Sequence, residues 1–260
     1  MSGEPITYVV ADRIATATFS RPDAMNSITE EVMGALDAIL DRVAEDAGVK
    51  ALVITGSGSA FCVGLDLGLL ENAFADAHYF KHALQRYHDV LLKLEAVPVP
   101  TIAAVNGLAR AGGFEMMLAC DFVVVSEDAR IADHHLAFGI LPGGGATQRA
   151  PRRMGMQRAK ELILGGGWLH GAQAVAAGVA LRSVPHEQLA EAVDAFAARF
   201  RGLSRPALAA TKAAINDGAE LPLRRALDLE IERFIEHLQH EPTSHEGYRA
   251  YVEGREPHWD

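Results

Sequence analysis

The sequence predicts a mixed α/β fold whose strands are joined by helical crossovers, and three observations carry that reading. Strand-length apolar runs (ALVITG, TIAAVNG and DFVVVS) are separated by segments of helical spacing. Strand, helix, strand in that order implies crossover connections and parallel strands. From Arg205 onward the pattern is helical throughout, so the chain ends in an α-helical region. Finally, no linker rich in Gly, Ser or Pro divides the chain into independently folding units, and there is no low-complexity tract or short-period repeat.

The elements follow in order. ITYVV and RIATATF, alternating and separated by an Ala-Asp turn, read as a β-hairpin. Arg21 to Ser27 makes a turn. Thr29 with Glu30 and Glu31 opens a helix that places Val32, Leu36, Ile39, Leu40 and Val43 on one face, with Gly48 as a stop signal. After the strand ALVITG, a long amphipathic segment around Tyr79 to Leu94 is closed by Pro98 and Pro100. TIAAVNG, the helical run GGFEMMLA and DFVVVS come next. Beyond Met156 the pattern is mostly helical, with one strand-like stretch, ALRSV. In the tail, LPLRRALDLEIERFIEHL presents Leu223, Leu227, Ile231, Phe234 and Leu238 at helical spacing. That stripe needs a partner, either elsewhere in the chain or in a second copy.

Composition narrows the function. With 260 residues, 49% hydrophobic and 22% charged, the chain can bury a sizeable core and is not intrinsically disordered. A net charge of −10 argues against a general nucleic-acid or anionic-membrane binder, so an anionic ligand would need a local basic patch. The two cysteines, Cys62 and Cys120, do not form a disulfide framework and suit a reducing cytoplasm. The first residues lack a basic region followed by an apolar one, and no segment has eighteen unbroken apolar residues. The expectation is a chain neither exported nor membrane-spanning.

Several motif classes are absent. ITGSGSAF lacks the third glycine of a dinucleotide fingerprint, no Gly-Lys-Ser/Thr P-loop occurs, and no Gly-x-Ser-x-Gly elbow marks a serine hydrolase. His78 with His82 and His237 with His240 have spacings that could clamp a metal, but neither pair has an obvious third ligand, and a solvated helix face is the plainer reading. Glu115 stands out as the single charge inside AGGFEMMLAC. A buried carboxylate is costly unless it has partners or a task. It could simply favour the helix dipole, but Gly112 and Gly113 open the same helix, where N–H groups lack intrahelical partners and backbone can approach a ligand. A carboxylate beside an anion-stabilising helix start suits acid/base chemistry next to a developing oxyanion. SAFCVGLDL offers a second backbone donor near Gly64 and Leu65, unless Gly64 serves only a tight turn.

FCVGLDL, then AAVNGLARAGGFEMMLACDFVVVSEDARIA, then FGILPGGGATQRAPRRMG, in this order and at these separations, resemble the crotonase (enoyl-CoA hydratase/isomerase) superfamily. SRPDAMNSI, LILGGGWLHGAQAVAAGV and EGYRAYVEGREPHW extend the resemblance over nearly the whole chain. It implies an α/β spiral of stacked β-β-α units, residues 1–200, followed by a C-terminal α-helical trimerisation region, residues 201–260. It implies a CoA thioester as substrate, with no cofactor beyond the coenzyme A that the substrate carries, no nucleic-acid or membrane partner, and a homotrimer or dimer of trimers. By position, Leu65 and Gly112 match the two backbone donors of the oxyanion hole, and Glu115 the first of two catalytic glutamates. Arg21, Ala24, Gly64, Leu65, Asp66, Leu67 and Gly112 match the substrate-binding positions.

Two departures stand out. Counting back from Gly139, the second glutamate of the hydratases falls on His135. Imidazole titrates near neutrality and could stand in as the acid, or the ring could only line the pocket. Gly68 stands where a lysine is common, leaving Arg21 as the nearest local substitute for a CoA-phosphate contact. The resemblance therefore implies an enoyl-CoA hydratase, a lyase, with Glu115 and His135 as catalytic residues. An isomerase, hydrolase or decarboxylase using the same enolate stabilisation, or a non-catalytic acyl-CoA binder, are the alternatives.

Overall fold

The computed structural model describes residues 3–259, apart from the side chains of Ala73 and Phe74. The amino-terminal hairpin joins β1 (Ile6–Ala11) to β2 (Ile14–Phe19), antiparallel. Its tip is Asp12-Arg13, both at positive φ, the backbone that matches strand twist in a two-residue turn. Thr29 caps α1 (Glu30–Glu45), its hydroxyl accepting from Val32 N at 3.2 Å, and the five predicted apolar residues are buried together with Met33.

The body then winds as a spiral. Each turn lays one strand in each of two sheets before a helix closes it. The first comprises β3 (Ala51–Gly56), β4 (Ala60–Cys62), α2 (Leu67–Ala75) and α3 (Ala77–Ala96). The second comprises β5 (Thr101–Val105), β6 (Leu108–Arg110) and α4 (Gly112–Ala119), and the third β7 (Phe122–Ser126), β8 (Arg130–Ala132), α5 (Ala146–Met154) and α6 (Met156–Gly165). Then come β9 (Leu169–His170), α7 (Gly171–Ala176), β10 (Arg182–Val184) and α8 (Leu189–Ala197). The large sheet runs β1-β2-β3-β5-β7-β10, and all its pairings after the hairpin are parallel. The small sheet runs β4-β6-β8-β9.

Both faces of the large sheet are buried, which is why its strands read as nearly continuous apolar runs. Leu52, Ile54, Ala103, Val105, Val123 and Val125 face the main core. The alternate residues Ala51, Val53, Ile102, Ala104 and Val124 meet Leu189, Val193 and Phe196 of α8 on the other face.

The tail consists of α9 (Arg205–Ala219), α10 (Leu223–His240) and α11 (Glu246–Glu253). Arg205 donates to Val43 O and Ala44 O at the end of α1, and Lys212 reaches Asp121 Oδ2 at 2.7 Å. These bonds moor α9 to the body. The outer face of α10 is left bare: Leu223 is 75% exposed, Ile231 62% and Phe234 60%. Among the described residues no helix is long and apolar enough to cross a membrane, and no group of three His, Cys, Asp or Glu could hold a metal ion.

Candidate active site

Glu115 lies in the first turn of α4, 2% exposed, with its Oε1 accepting the backbone N–H groups of Gly144 at 2.7 Å and Ala146 at 3.1 Å. Burial pushes its carboxyl above the usual range; the positive charge of His135 and the two N–H donors oppose that rise, and Asp133 adds to it. The glycine loop before α5 thus closes over the carboxylate. A side chain at position 144 would overlap Glu115 Oε2 and the Tyr87 ring, so only glycine admits this approach. The same loop is held from α3 and α5: His88 Nε2 donates to Gly143 O at 2.6 Å, and Arg149 donates to Gly144 O at 3.0 Å while its guanidinium grips Glu95 through two bonds.

The two backbone donors lie side by side. The Cβ position of Gly112 is 3.1 Å from Gly64 Cα and 3.5 Å from Leu65 N. Leu65 forms a parallel bridge with Ile28 in which Gly64 O and Asp66 N are paired, turning the Leu65 N–H away. Ala111, ahead of α4, sits at φ 48° and ψ −122°, a conformation costing about 1–3 kcal/mol in a residue with a side chain. Its N–H is spent on Ala132 O and Asp133 O, while Gly112 N is the first donor of the helix. No acceptor among the described residues takes the N–H of Leu65 or Gly112. Tyr87, wholly buried, donates to Gly112 O at 2.5 Å, and burial together with the Glu115 charge raises its hydroxyl well above the usual range.

His135 follows β8 in a short 3-10 turn. Its Nδ1 lies 3.1 Å from Oδ2 of Asp133, which has no solvent exposure, and its backbone N–H donates to Asp133 Oδ1 at 3.3 Å. Burial draws the imidazole pKa down, but the Asp133 hydrogen bond and the charges of Glu115 and Asp133 outweigh it and leave it raised. The adjacent His134 turns away and packs on Trp168, ring centres 4.8 Å apart. Both thiols are pushed up to about 12 by burial, which leaves Cys62 and Cys120 as core residues rather than nucleophiles.

The remaining predicted positions form a rim beside Leu65. Arg21 donates to Ser27 O at 2.7 Å and lies 3.6 Å from Asp66 Oδ2, which also accepts from Ser27 Oγ at 2.8 Å. The Ser27 bond is the main cause that keeps the Asp66 carboxyl below its usual range, helped by the Gly68 N–H and Arg21. Ala24 is half-buried in the turn that precedes buried Asn26, whose side chain pins that turn to Ser57 O and Ala60 O. Leu67, at the start of α2, is exposed. A cleft of about 690 Å³ along α3 reaches the glycine loop at Gly143, and none of the predicted site residues lines it.

A family model described as enoyl-CoA hydratase/isomerase matches residues 10–260. The chain belongs to that family. Among the curated members of the enoyl-CoA hydratase/isomerase family, a probable enoyl-CoA hydratase of Mycobacterium tuberculosis (strain CDC 1551 / Oshkosh) is 33% identical over 258 residues, 99% of this chain and 98% of its own. A crotonyl-CoA hydratase of Syntrophomonas wolfei is 32% identical over 236 residues, 90% of each chain. The crystal structure of an enoyl-CoA hydratase from Bacillus anthracis superposes with a TM-score of 0.91 at 32% identity, covering 98% of both chains. Against that family background, Tyr87, Gly144 and Asp133 are the residues that sequence reasoning missed. Asp133 had a legible signal, a carboxylate two residues before the histidine in place of a second glutamate. Tyr87 had none, since it reads as one more apolar position of an amphipathic helix.

Proposed function

We propose that the chain adds water across the double bond of a trans-2-enoyl-CoA thioester. The observation that carries this reading is the buried Glu115 carboxylate, charge-coupled to His135 and opening the helix whose first N–H, that of Gly112, lies beside the N–H of Leu65. Glu115 takes a proton from water as the water oxygen bonds to Cβ. The displaced π electrons move through Cα to the thioester oxygen, where the N–H groups of Leu65 and Gly112 stabilise the enolate. Protonated His135 then gives its Nε2 proton to Cα, completing the 3-hydroxyacyl-CoA. The rim of Arg21, Ala24, Gly64, Asp66 and Leu67 would receive the CoA moiety, its one carboxylate matched by Arg21. No cofactor enters this scheme, and the two free cysteines fit a reducing cytoplasm. Incubating the purified protein with a panel of CoA thioesters and reading masses tests it: crotonyl-CoA or a longer enoyl-CoA should gain one water. A panel in which masses change only by loss or stay constant sinks the hydratase reading.

The pH profile should have a definite shape. His135 must be protonated and its pKa is raised, so activity persists above the ordinary imidazole range, about 6.5, and falls as pH rises further. Glu115 must be ionised and its pKa is also raised, so the acidic limb lies above the ordinary carboxyl range. His135→Ala should lose at least ~100-fold in kcat, with the wild-type basic limb gone. Coincident basic limbs in the two proteins would reduce His135 to a pocket-lining residue.

Self-association into trimers belongs to the same proposal. Leu223, Leu227, Ile231 and Phe234 form an exposed apolar stripe on α10, and a groove of about 640 Å³ between α9 and α10 is lined by Ala210, Ala214, Ile215 and Ile231. So continuous an apolar surface points to a protein partner. Light scattering at micromolar concentration should give about three chain masses, falling to one in Ile231→Glu/Phe234→Glu. A wild-type monomer would show the stripe to be plain surface.

A further inference from the structure

The hydratase reading assigns His135 a proton to deliver but says nothing of what aims the ring or keeps it charged. Among the described residues Asp133 is the one carboxylate within hydrogen-bond distance of the imidazole, and it has no solvent exposure. A carboxylate oxygen only accepts, so Oδ2 requires the hydrogen on Nδ1, while Oδ1 holds the same residue by its backbone N–H at 3.3 Å. With Nδ1 tied down, Nε2 is the ring's remaining donor. The main chain of Asp133 has a second attachment: its carbonyl accepts the Ala111 N–H at 3.0 Å, in the strained turn just before Gly112. One residue thus touches both the acid and the backbone segment that presents the oxyanion donor.

We propose that Asp133 is the positioning residue of His135, fixing the ring through Nδ1 so that a protonated Nε2 faces the substrate α-carbon. This rests on the hydratase reading for the task of the proton, but the Asp133–His135 pair itself does not depend on it. The logic is that of a buried aspartate orienting a catalytic imidazole and stabilising its cation. The division of labour is asymmetric. Glu115, held by two N–H donors, stays an acceptor, whereas His135, held by a carboxylate, stays a donor. A second glutamate would have to be protonated to do the same work.

The groups that bear on His135 are few. Asp133 acts from its own loop and Glu115 from α4; Tyr87 on α3 and Arg149 on α5 act on the Glu115 side of the site. Removing the charge of Asp133 while keeping its shape should therefore move one titration in a known direction. In Asp133→Asn the imidazolium loses its nearest anion, so His135 should titrate at lower pH.

The experiment uses the full chain with 13C-labelled histidine, the His135 resonance being identified by its loss in His135→Gln. Its titration is followed by NMR without substrate in wild type and in Asp133→Asn. The expected result is a wild-type midpoint above about 6.5 that shifts downward in the variant. Coincident midpoints overturn the proposal. Should Asp133→Asn not fold, a wild-type midpoint at or below about 6.5 overturns it equally. Kinetics supply the second readout: kcat of Asp133→Asn should fall at least ~10-fold, a fraction of what a general acid contributes, with KM little changed and the basic limb displaced to lower pH. In a His135→Ala background the same substitution should cost nothing more. An equal loss in both backgrounds would make Asp133 a strut for the Ala111 turn and overturn the assignment. If wild type hydrates no thioester, the hydratase reading fails alone, since the NMR titration still decides the pair.

Discussion

Glu115→Gln is expected to lower kcat/KM for the preferred enoyl-CoA by at least ~100-fold, the lower end of what a general acid or base contributes, without lowering thermal stability. The two halves of this expectation have separate causes. Gln keeps an oxygen that can accept from Gly144 N at 2.7 Å and Ala146 N at 3.1 Å, so the glycine loop stays closed. What it loses is the ability to take a proton from water. The stability half follows from linkage. The folded protein holds the Glu115 proton more tightly than the unfolded chain does, because burial raises the carboxyl. A raised carboxyl favours the fold at pH below its unfolded value, about 4.3, and that contribution is lost as pH rises through the folded value. At pH 7 to 8 the ionised carboxylate is therefore a cost, and the neutral amide should leave Tm unchanged or raise it. Steady-state kinetics and a thermal melt on the same preparation check both halves. An active variant would leave Glu115 as a helix-start residue, and an inactive one that melts markedly lower would make it structural.

The expectations that held were those where burial writes a period into the chain. ALVITG, TIAAV and FVVVS are apolar at nearly every position, with Thr55, Thr101 and Ser126 at or next to strand ends, because α8 covers one face of the large sheet and the main core the other. Thr29 signals the start of α1 because a hydroxyl there satisfies a helix N–H. The small sheet was not legible. β4, β6 and β8 have three residues each and β9 two, too short to show alternation, and β4, β6 and β9 sit among glycines that read as turns. Nor was α5, a polar helix carrying Pro151, whose position mid-helix argues against one. α2 begins directly at the predicted donor loop, and the sequence marks its capping residue, Asp66, only as a substrate position of the resemblance, not as a helix start.

The site shows the same division. Glu115 was conspicuous because a charge inside AGGFEMMLAC violates the burial rule, and violations of local rules cluster at function. The groups that hold it are ordinary in sequence. Tyr87 and His88 belong to a helix distant along the chain, and Gly144 is one glycine of three. Their roles arise from α3 crossing the start of α4, a contact between segments about which local pattern is silent. Arg21 illustrates the reverse limit. Its motif position is legible, but the structure shows its guanidinium shared between Ser27 and Asp66, so the charge left for a phosphate is smaller than a lone arginine would supply.

Gly113→Ala should do the most damage to the fold and the site together. α4 begins where β4 ends, and a Cβ at position 113 would overlap the carbonyl of Cys62 and lie 2.9 Å from its Cβ. The obstacle is backbone inside the small sheet, so no side chain can rotate to relieve it. Position 113 is within the helix and has no positive φ, so the backbone conformation itself suits alanine, whose helix propensity is the better of the two. Only the close approach opposes it. Moving α4 away from β4 would withdraw Gly112 from Leu65 and drag Glu115 off the N–H groups of Gly144 and Ala146. Overpacking at such a point costs about 3 kcal/mol, the upper part of the usual range, which in a chain of this size lowers Tm by roughly 6–12 °C. Gly165→Ala is the matched control: it is also a helical glycine, and a Cβ there meets nothing within 4 Å. Thermal melts of the two variants beside wild type, with turnover measured well below the lower transition, should show Gly113→Ala destabilised and inactive and Gly165→Ala unchanged. If Gly113→Ala melts with wild type and turns over at its rate, the junction of α4 and β4 has slack that the contact geometry denies, and the spacing between Leu65 N and Gly112 N is not what sustains the chemistry.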